Sequence, residues 1–498
     1  MSRGKDLTKN TLIITVGRIS TQFITFLLLP LYTTFLSTEE YGMVDLVTTL
    51  VQLLIPMISI MIDQGVFRYL LSCETAEMRK KTISSAFFLL LISSIITIII
   101  YVIIGLFVIN QYKLWLLLIL ISTVFSNLFL QIARGLKRTS DYALGSFVCS
   151  VATIILNVFC IVFLRKGTIG MLIATFGGNA ICCLFLFFKL SIGQYISIFA
   201  IDKMIAKEEL KYSFPLVPNQ LSLWVINSSD RLIVASFLGA SATGILAVSH
   251  KIPAIYMTFF NIFQLAWHET GAVHYFDEDR DQFFTDMLKR ILSIFTVFCM
   301  GIIVVLPLVF NWLVGSSFRE AYYNIPIYLI ALLFNLVIGL LGVVYVATKK
   351  TAEIAKTTMM AALLNIVINV GLIKFIDLYA ASISTLIGYF VTMIDRIIDT
   401  RKYLHITYDK KQITGISFSI VFCCFFYYLN NRIISLLLFP VFLVFAYVLN
   451  KNLLDDAFRM LEERFKLSPK KIILIAVCGL MFVIICGTYI YLQSICST

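Results

Sequence analysis

The stretch from Ile83 to Ile109 reads ISSAFFLLLISSIITIIIYVIIGLFVI, and it decides the class of fold. It contains no charged residue, and about 20 consecutive apolar residues are enough for a helix to cross the hydrocarbon core of a membrane. Similar runs recur along the whole chain, which is 60% hydrophobic and only 14% charged. An average soluble domain carries about 25% charged residues. The sequence therefore predicts an all-α polytopic membrane protein.

The hydropathy pattern predicts twelve main spans and three further candidates near the C-terminus. The spans lie near residues 11–36, 42–62, 83–109, 113–133, 144–164, 168–189, 212–238, 242–266, 287–312, 325–346, 355–375, 379–399, 413–429, 433–449 and 471–492. We expect an N-terminal six-helix bundle at 1–205, a C-terminal six-helix bundle at 206–410, and two or three extra transmembrane segments at 411–498. The tail segment KNLLDDAFRMLEERFKLSPKK is amphipathic, which predicts a cytoplasmic interfacial helix near 451–468.

The charged connections alternate along the chain. Basic loops such as RGLKRTSD (134–141) and RKYLHITYDKK (401–411) fall on every second connection, and RKG at 165–167 is the one exception. By the positive-inside rule, this pattern predicts a cytoplasmic N-terminus. The same rule accounts for the formal net charge of +12, so we expect no nucleic-acid partner. All predicted outward loops are short, which argues against a membrane glycosyltransferase or polymerase with a catalytic outer domain.

The cysteines give no sign of a metal or disulfide framework. Most of the eleven lie within predicted spans, and neither a CxxC motif nor a Cys/His ligand spacing occurs. Buried thiols of this kind behave as small hydrophobic side chains. We therefore expect no metal and no cofactor.

An internal repeat relates the two halves of the sequence. RGLKRTSDYALGS followed by IILNVFCIVFLRKGTIG matches YVATKKTAE followed by IVINVGLIKFIDLYAAS, so that Thr139 meets Thr351 and Asn157 meets Asn369. A second match aligns FLSTEEYG with FLGASATG. Six spans per half is an even number, so the halves would share one orientation about a pseudo-two-fold axis along the membrane normal. Transporters commonly build a substrate cavity between such repeats; chance similarity between apolar helices is the alternative.

Three cations lie deep within predicted spans. They are Arg18 in span 1, Arg231 in span 7 and Lys251 in span 8. A charge at mid-membrane costs about 2.5–3.5 kcal/mol on insertion scales, so such residues are functional candidates. At 1.5 Å per residue, Arg231 lies about 10 Å from the outer end of its helix. We expect the three to form a cationic substrate cavity; ion pairs that brace helices are the alternative.

Acidic and titratable residues accompany these cations. Adjacent helical residues do not face each other, so Asp230 and Arg231 cannot pair well. In one arrangement Asp230 pairs with Lys251 across the hairpin of spans 7 and 8, and Arg231 faces the cavity; the swapped assignment remains open. Asp63, Asp230 and His250 are candidates for ion coupling or for helix bracing.

Polar residues of other kinds also occur in the spans. Four asparagines either line the cavity or bond neighbouring helices, namely Asn157, Asn227, Asn365 and Asn369. Charged residues near span ends, Arg396 among them, are expected to extend toward the membrane interface.

Three stretches resemble bacterial polysaccharide flippases of the Wzx type. They are NTLIITVGRISTQFITFLLLPLYTTFLSTEEYG from Asn10, SFPLVPNQLSLWVINSSDRLIVASFLGASATGILAVSHKI from Ser213, and ALLNIVINVGLIKFIDLYAASISTLIGY from Ala362. The resemblance covers about residues 8–400. This family of oligosaccharide and O-antigen flippases belongs to the multidrug/oligosaccharidyl-lipid/polysaccharide (MOP) exporter superfamily, together with the MATE transporters.

The resemblance implies two six-helix bundles in a V-shaped arrangement, with a central cavity. It also implies a non-enzymatic function in the bacterial cytoplasmic membrane: alternating-access flipping of undecaprenyl-pyrophosphate-linked oligosaccharide for capsule, O-antigen or another exopolysaccharide. A cationic cavity would suit the pyrophosphate, and Arg18, Arg231 and Lys251 match that expectation.

Several partners and alternatives follow from the same resemblance. The expected partners are membrane lipids, H+ or Na+ as the coupling ion, a polysaccharide polymerase and a chain-length regulator. A multidrug antiporter or a lipid II flippase remains the alternative within the superfamily.

Overall fold

The computed structural model describes residues 26, 28–107, 111–348 and 350–465. Every regular element within these residues is helical, as predicted. Arg18 and the predicted span at 471–492 lie outside them. The helices are α1 (Leu29–Phe35), α2 (Thr38–Ser59), α3 (Ile62–Leu70), α4 (Ala76–Phe107), α5 (Lys113–Gly135), α6 (Thr139–Val158), α7 (Gly167–Lys189), α8 (Lys203–Ser213), α9 (Leu216–His274), α10 (Arg280–Leu313), α11 (Ala321–Ala347), α12 (Thr351–Ile376), α13 (Tyr379–Thr400), α14 (Lys410–Tyr428) and α15 (Arg432–Phe465).

Ten helices among the described residues are long and apolar enough to cross a membrane. The uncharged stretch that begins at Ile83 lies in α4, whose apolar portion has a mean hydropathy of 3.0 and is mostly exposed on the protein surface. Its exposed side chains are largely isoleucines, such as Ile96, Ile99 and Ile103, which is the composition expected where lipid replaces water. The prediction of an all-α multi-pass membrane protein is confirmed.

Helices extend further into the predicted loops than hydropathy indicated. α2 begins at Thr38 because Ser37 Oγ accepts a hydrogen bond from the Glu40 N–H (3.2 Å) while Glu40 Oε2 accepts one from the Ser37 N–H (2.9 Å), a capping box. The predicted loop at 202–211 is helix α8, whose start is capped by the Asp202 carboxylate. The predicted charged loop at 268–289 is reduced to the turn between α9 and α10. Charged residues mark the end of a membrane-spanning segment, but the helix itself can continue past them.

Span 2 was predicted to run to residue 62, and the helix ends earlier. Ile60 and Met61 have φ values of 48° and 54°, which separate α2 from α3. This conformation is uncommon for side chains other than glycine. Because neither glycine nor proline marks the break, the sequence pattern did not show it.

The helix boundaries repeat with the offset found in the sequence. α6 and α12 begin at the aligned threonines Thr139 and Thr351, and α7 and α13 begin at the same offset. The residues Arg165 and Asp377, also aligned, both have positive φ values, 49° and 46°. Matching helix starts and matching left-handed corners support an internal duplication.

α9 consists of two helical arms that meet at Gly239. This residue has φ 86° and ψ −179°, a conformation essentially restricted to glycine. The two arms correspond to the predicted spans 7 and 8, and the GASATG motif contains their junction. No atom lies within 4 Å of the place where a Cβ of Gly239 would stand. Glycine is therefore required at this junction for its backbone conformation and not for close packing.

α2 crosses the start of the second arm of α9 in very close contact. A Cβ on Gly42 would overlap the Ala240 carbonyl oxygen, and a Cβ on Gly244 would overlap that of Thr38. The Thr38 and Ser241 hydroxyls share a hydrogen bond of 2.6 Å. Small residues allow such backbone approach between membrane helices, so the two aligned motifs FLSTEEYG and FLGASATG meet in space.

The chain forms two compact units. The first comprises residues 1–247 together with Ile366–Leu378, and the second comprises Val248–Asn365 and the residues from Tyr379 onward. In the first unit α5 packs on α2, α3 and α7, while α8 packs on α3 and α4. The predicted bundle limits near residues 205 and 410 stay a prediction.

Within the second unit, α11 packs against α10 and α13, and α10 also packs against α14 and α15. Tyr322 and Tyr427 stack with ring centroids 4.1 Å apart. Each donates its hydroxyl to the main-chain carbonyl of the other, at 2.9 and 2.7 Å. This reciprocal pair fixes α14 on α11, so α14 is part of the compact unit.

Candidate functional site

A polar cavity of about 680 Å³ lies within the first unit, between α2, α3, α5 and the first arm of α9. Seven of the lining side chains are carboxamides: Gln52, Gln64, Asn127, Gln131, Asn219, Gln220 and Asn227. The lining also contains the carboxylate of Asp63 and the indole of Trp224. Among the described residues, no lysine or arginine lines it. The cavity is therefore polar and, over this lining, not cationic.

Helical spacing produces this lining. On α9 the lining residues Asn219, Gln220, Trp224 and Asn227 recur at helical intervals, so they share one face. On α5, Asn127 and Gln131 are four residues apart. The polar side chains that α5 and α9 present on these faces converge on the cavity.

Three of the carboxamides are oriented by bonds within the protein. Gln131 Oε1 accepts from Arg134 Nη1 at 2.9 Å, so its NH₂ group remains available as a donor. Gln64 Nε2 donates to Asp63 Oδ2 at 2.7 Å, and Asn227 Nδ2 donates to the Leu223 carbonyl at 2.8 Å. The oxygens of these two amides remain available as acceptors.

Arg231 lies one turn beyond Asn227 and binds α2. Its Nε is 3.3 Å from Asp45 Oδ2, and the two side chains are only 18% and 14% exposed. Its Nη1 donates to Thr49 Oγ1 at 3.4 Å, and Trp224 Nε1 donates to the Thr49 carbonyl at 3.1 Å. The guanidinium thus joins α9 to α2 beside the cavity.

The ion pair with Asp45 was not foreseen, although the sequence contained a signal for it. Asp45 closely follows the first of the two aligned motifs and Arg231 closely precedes the second, and these motifs meet at the α2–α9 crossing. Asp230 is buried, and its carboxylate accepts from the Arg231 backbone N–H at 2.9 Å. A pair between Asp230 and Lys251 stays a prediction.

The remaining titratable candidates lie in the second unit. Lys251 and His250 are half-buried on the second arm of α9, and the His250 ring lies 4.2 Å from the Tyr328 ring, centroid to centroid. The structure gives His250 an aromatic neighbour on α11 that spacing alone did not predict.

The other asparagines predicted as polar candidates are buried within helices. Asn365 Nδ2 donates to Thr385 Oγ1 at 3.0 Å, which links α12 to α13. Asn157 Nδ2 donates to the Thr153 carbonyl of its own helix at 2.9 Å. Asn369 is fully buried. Of the four asparagines, Asn227 is the one whose side chain lines the described cavity.

Arg396 does not extend to the interface as expected. It is 5% exposed, its Nη1 donates to the Ile338 carbonyl at 2.8 Å, and its Nη2 donates to Thr357 Oγ1 at 3.1 Å. The prediction from its position near the span end was wrong, because the hydrogen-bond partners of Arg396 lie on the neighbouring helices α11 and α12.

Two acidic side chains outside the spans have raised pKa values. Glu209 on α8 is fully buried, and neither carboxyl oxygen has a hydrogen-bond partner among the described residues. Burial raises the pKa of Glu209 to about 9, so the group is neutral at pH 7. Burial also raises the pKa of Asp63, while its bond from Gln64 opposes that rise. No cluster of His, Cys, Asp and Glu in the described parts of the chain is suited to hold a metal ion.

Replacing Glu209 by glutamine should flatten the dependence of stability on pH. Between its ordinary pKa of 4.5 and about 9, the folded protein binds more protons at Glu209 than the unfolded chain does, so stability falls as pH rises through this window. The thermal unfolding midpoint of detergent-solubilised protein, measured from pH 5 to pH 9, should decline less for Glu209→Gln than for the wild type. Asp63 is the same in both proteins, so its titration contributes equally to both pH profiles. Identical profiles would therefore refute the role of Glu209.

Comparison with known proteins gives both a family and a fold. The profile of the family described as "Polysaccharide biosynthesis protein" matches residues 7–268, more than half of the chain. No curated protein sequence matches the chain significantly. Among solved structures, the lipid II flippase MurJ in its inward closed conformation is 16% identical, with a TM-score of 0.66 over 90% of this chain and 99% of that chain.

Two transporter structures show the same fold. An outward-facing multidrug resistance MATE family transporter of the MOP superfamily is 17% identical, with a TM-score of 0.56 over 79% of this chain and 95% of that chain. A MOP superfamily transporter from Pyrococcus furiosus has the same identity, TM-score and coverage. The chain therefore belongs to the polysaccharide biosynthesis protein family, and it is a multi-pass membrane protein with the helical fold of MOP superfamily transporters.

Proposed function

We propose that this protein is a flippase that moves undecaprenyl-pyrophosphate-linked oligosaccharide across the bacterial cytoplasmic membrane. The product would be a capsule, an O-antigen or another exopolysaccharide. The observation that carries the proposal is the polar cavity of about 680 Å³ inside a unit built of membrane helices. Sugar hydroxyls are costly to place in hydrocarbon, and such a cavity gives them hydrogen-bonding partners during the crossing.

The mechanism we propose is alternating access. The cations Arg18, Arg231 and Lys251 attract the diphosphate, and the polyprenyl chain remains in the lipid. H+ or Na+ provides the driving force, and Asp63, Asp230 and His250 are the candidates for coupling. A polysaccharide polymerase and a chain-length regulator would act on the product at the outer face.

The combined substitution Arg18→Ala, Arg231→Ala and Lys251→Ala should abolish surface polysaccharide. Removing three cations removes the charges that attract the diphosphate. The measurement is complementation of a deletion strain, with the amount of protein in the membrane determined in parallel. A matched control replaces three exposed lysines, Lys80, Lys203 and Lys207, by alanine and should complement fully. Full complementation by the variant that lacks Arg18, Arg231 and Lys251 would refute the cationic mechanism.

A lipid II flippase or a multidrug antiporter is the alternative within the same fold. Transport assays in proteoliposomes distinguish these three candidate functions. The proposed flippase moves lipid-linked oligosaccharide extracted from the source strain, and it moves neither lipid II nor a fluorescent cationic drug. Movement of lipid II alone would transfer the assignment to peptidoglycan precursors.

A further inference from the structure

We propose that the carboxamide-lined cavity binds the uncharged, hydroxyl-bearing sugars of the substrate, and that the diphosphate binds outside it. The inference rests on the proposed function and adds which part of the substrate this cavity takes.

Four carboxamides in the lining are available to bind a ligand. The side chains of Gln52, Asn127, Asn219 and Gln220 make no hydrogen bond to another described residue. Each carries two N–H donors and an oxygen with two lone pairs. A ligand whose groups both donate and accept can satisfy them, and hydroxyl and acetamido groups have this property.

The oriented amides add complementary partners. Gln131 presents donors, because Arg134 holds its oxygen. Gln64 and Asn227 present oxygens, because their NH₂ groups are engaged. The lining thus offers donors and acceptors in fixed positions, as hydroxyl recognition requires.

A diphosphate suits this lining poorly. It is an anion that accepts hydrogen bonds, so the oxygens of Gln64 and Asn227, which are also acceptors with a partial negative charge, would repel it. No lysine or arginine among the described lining residues compensates, whereas phosphate sites in proteins rely on such cations. Arg134 stands behind Gln131, where its guanidinium is bonded to the amide and lies 4.4 Å from the Phe67 ring centroid.

The dimensions and the indole fit sugar rings. A volume of about 680 Å³ lies within the range of about 300–1,000 Å³ typical of ligand sites. The Trp224 ring is fixed by the bond from its Nε1 to the Thr49 carbonyl. A ring held in this way offers an apolar surface at low entropic cost, against which the C–H face of a sugar packs.

The test separates sugar binding from diphosphate binding. In the variant Gln52→Met, Asn127→Leu, Asn219→Leu and Gln220→Met, hydrogen bonding is removed and side-chain size is nearly retained. Affinity of the full-length protein in nanodiscs is measured for lipid-linked oligosaccharide from the source strain and for undecaprenyl pyrophosphate alone. We expect at least a tenfold loss for the first ligand and no change for the second. Gln282→Met, which alters an exposed amide on α10, is the control and should bind both ligands as the wild type does.

The outcomes are distinguishable. An equal loss for both ligands, or no loss for either, would overturn the sugar subsite and leave the flippase proposal standing. Wild-type protein that binds neither ligand would overturn the flippase proposal itself. A thermal unfolding midpoint of the variant in nanodiscs within a few degrees of wild type confirms that the measured protein is folded.

Discussion

Arg231→Ala is expected to lower the free energy of unfolding by about 3 kcal/mol, because it leaves the carboxylate of Asp45 buried without its cation. The Nε–Oδ2 distance is 3.3 Å and both side chains are largely shielded from solvent. The measurement is reversible unfolding of purified protein in mixed micelles. Wild-type stability in this variant would show that Asp45 has another sufficient partner.

The double variant Asp45→Asn with Arg231→Gln separates bracing from substrate binding. It removes both charges and leaves amides able to hydrogen-bond, so stability should return to within about 1 kcal/mol of the wild type. If Arg231 also attracts the diphosphate, this stable protein still fails to export polysaccharide, and that is the result we expect. Normal export by the double variant would assign Arg231 to helix bracing alone.

Gly42→Ala should be more damaging still, with a loss of at least about 3 kcal/mol and little folded protein in the membrane. The added methyl group would overlap the carbonyl oxygen of Ala240, a main-chain atom that cannot rotate away as a side chain can. The measurement is the amount of folded protein in detergent extracts, followed by size-exclusion chromatography and thermal unfolding. Gly244→Ala should behave alike, because its methyl group would overlap the Thr38 carbonyl oxygen.

The matched control is Gly371→Ala on α12. This glycine is also inside a helix, but nothing lies within 4 Å of the place that an alanine methyl group would take. Alanine is the better helix former by about 1 kcal/mol, so the control should be as stable as the wild type or slightly more stable. If Gly42→Ala matched this control, the close crossing of α2 and α9 would be wrong.

Hydropathy and repetition predicted most of the fold, because membrane crossing depends on composition summed over a whole helix. The duplicated helix starts at Thr139 and Thr351 were visible as aligned sequence. The left-handed break at Ile60 and Met61 was not, since no glycine or proline marks it. Local conformation of that kind is imposed by packing in three dimensions.

The site was predicted less completely than the fold. Asn227 was recognised because it lies in a span, whereas Gln52 and Asn219 look unremarkable in sequence and gain meaning when their helices converge on one cavity. Arg231 was predicted as a site residue from its charge within a span, but its contact with Asp45 was not predicted. Hydropathy counts one helix at a time, so it cannot assign partners between helices.

The pairing of Asp45 with Arg231 also bears on how the chain is made. Residues are added at about 5–20 per second, N-terminus first, so the ribosome delivers Asp45 roughly 10–40 s before its cation exists. During that interval α2, whose apolar portion has a mean hydropathy of only 1.6, enters the membrane with an uncompensated acidic group. The strongly apolar α4 follows it and needs no such partner. A nascent chain stalled before residue 231 should therefore protect α4 from an added protease and leave α2 more readily cleaved, until synthesis of α9 allows the ion pair to form.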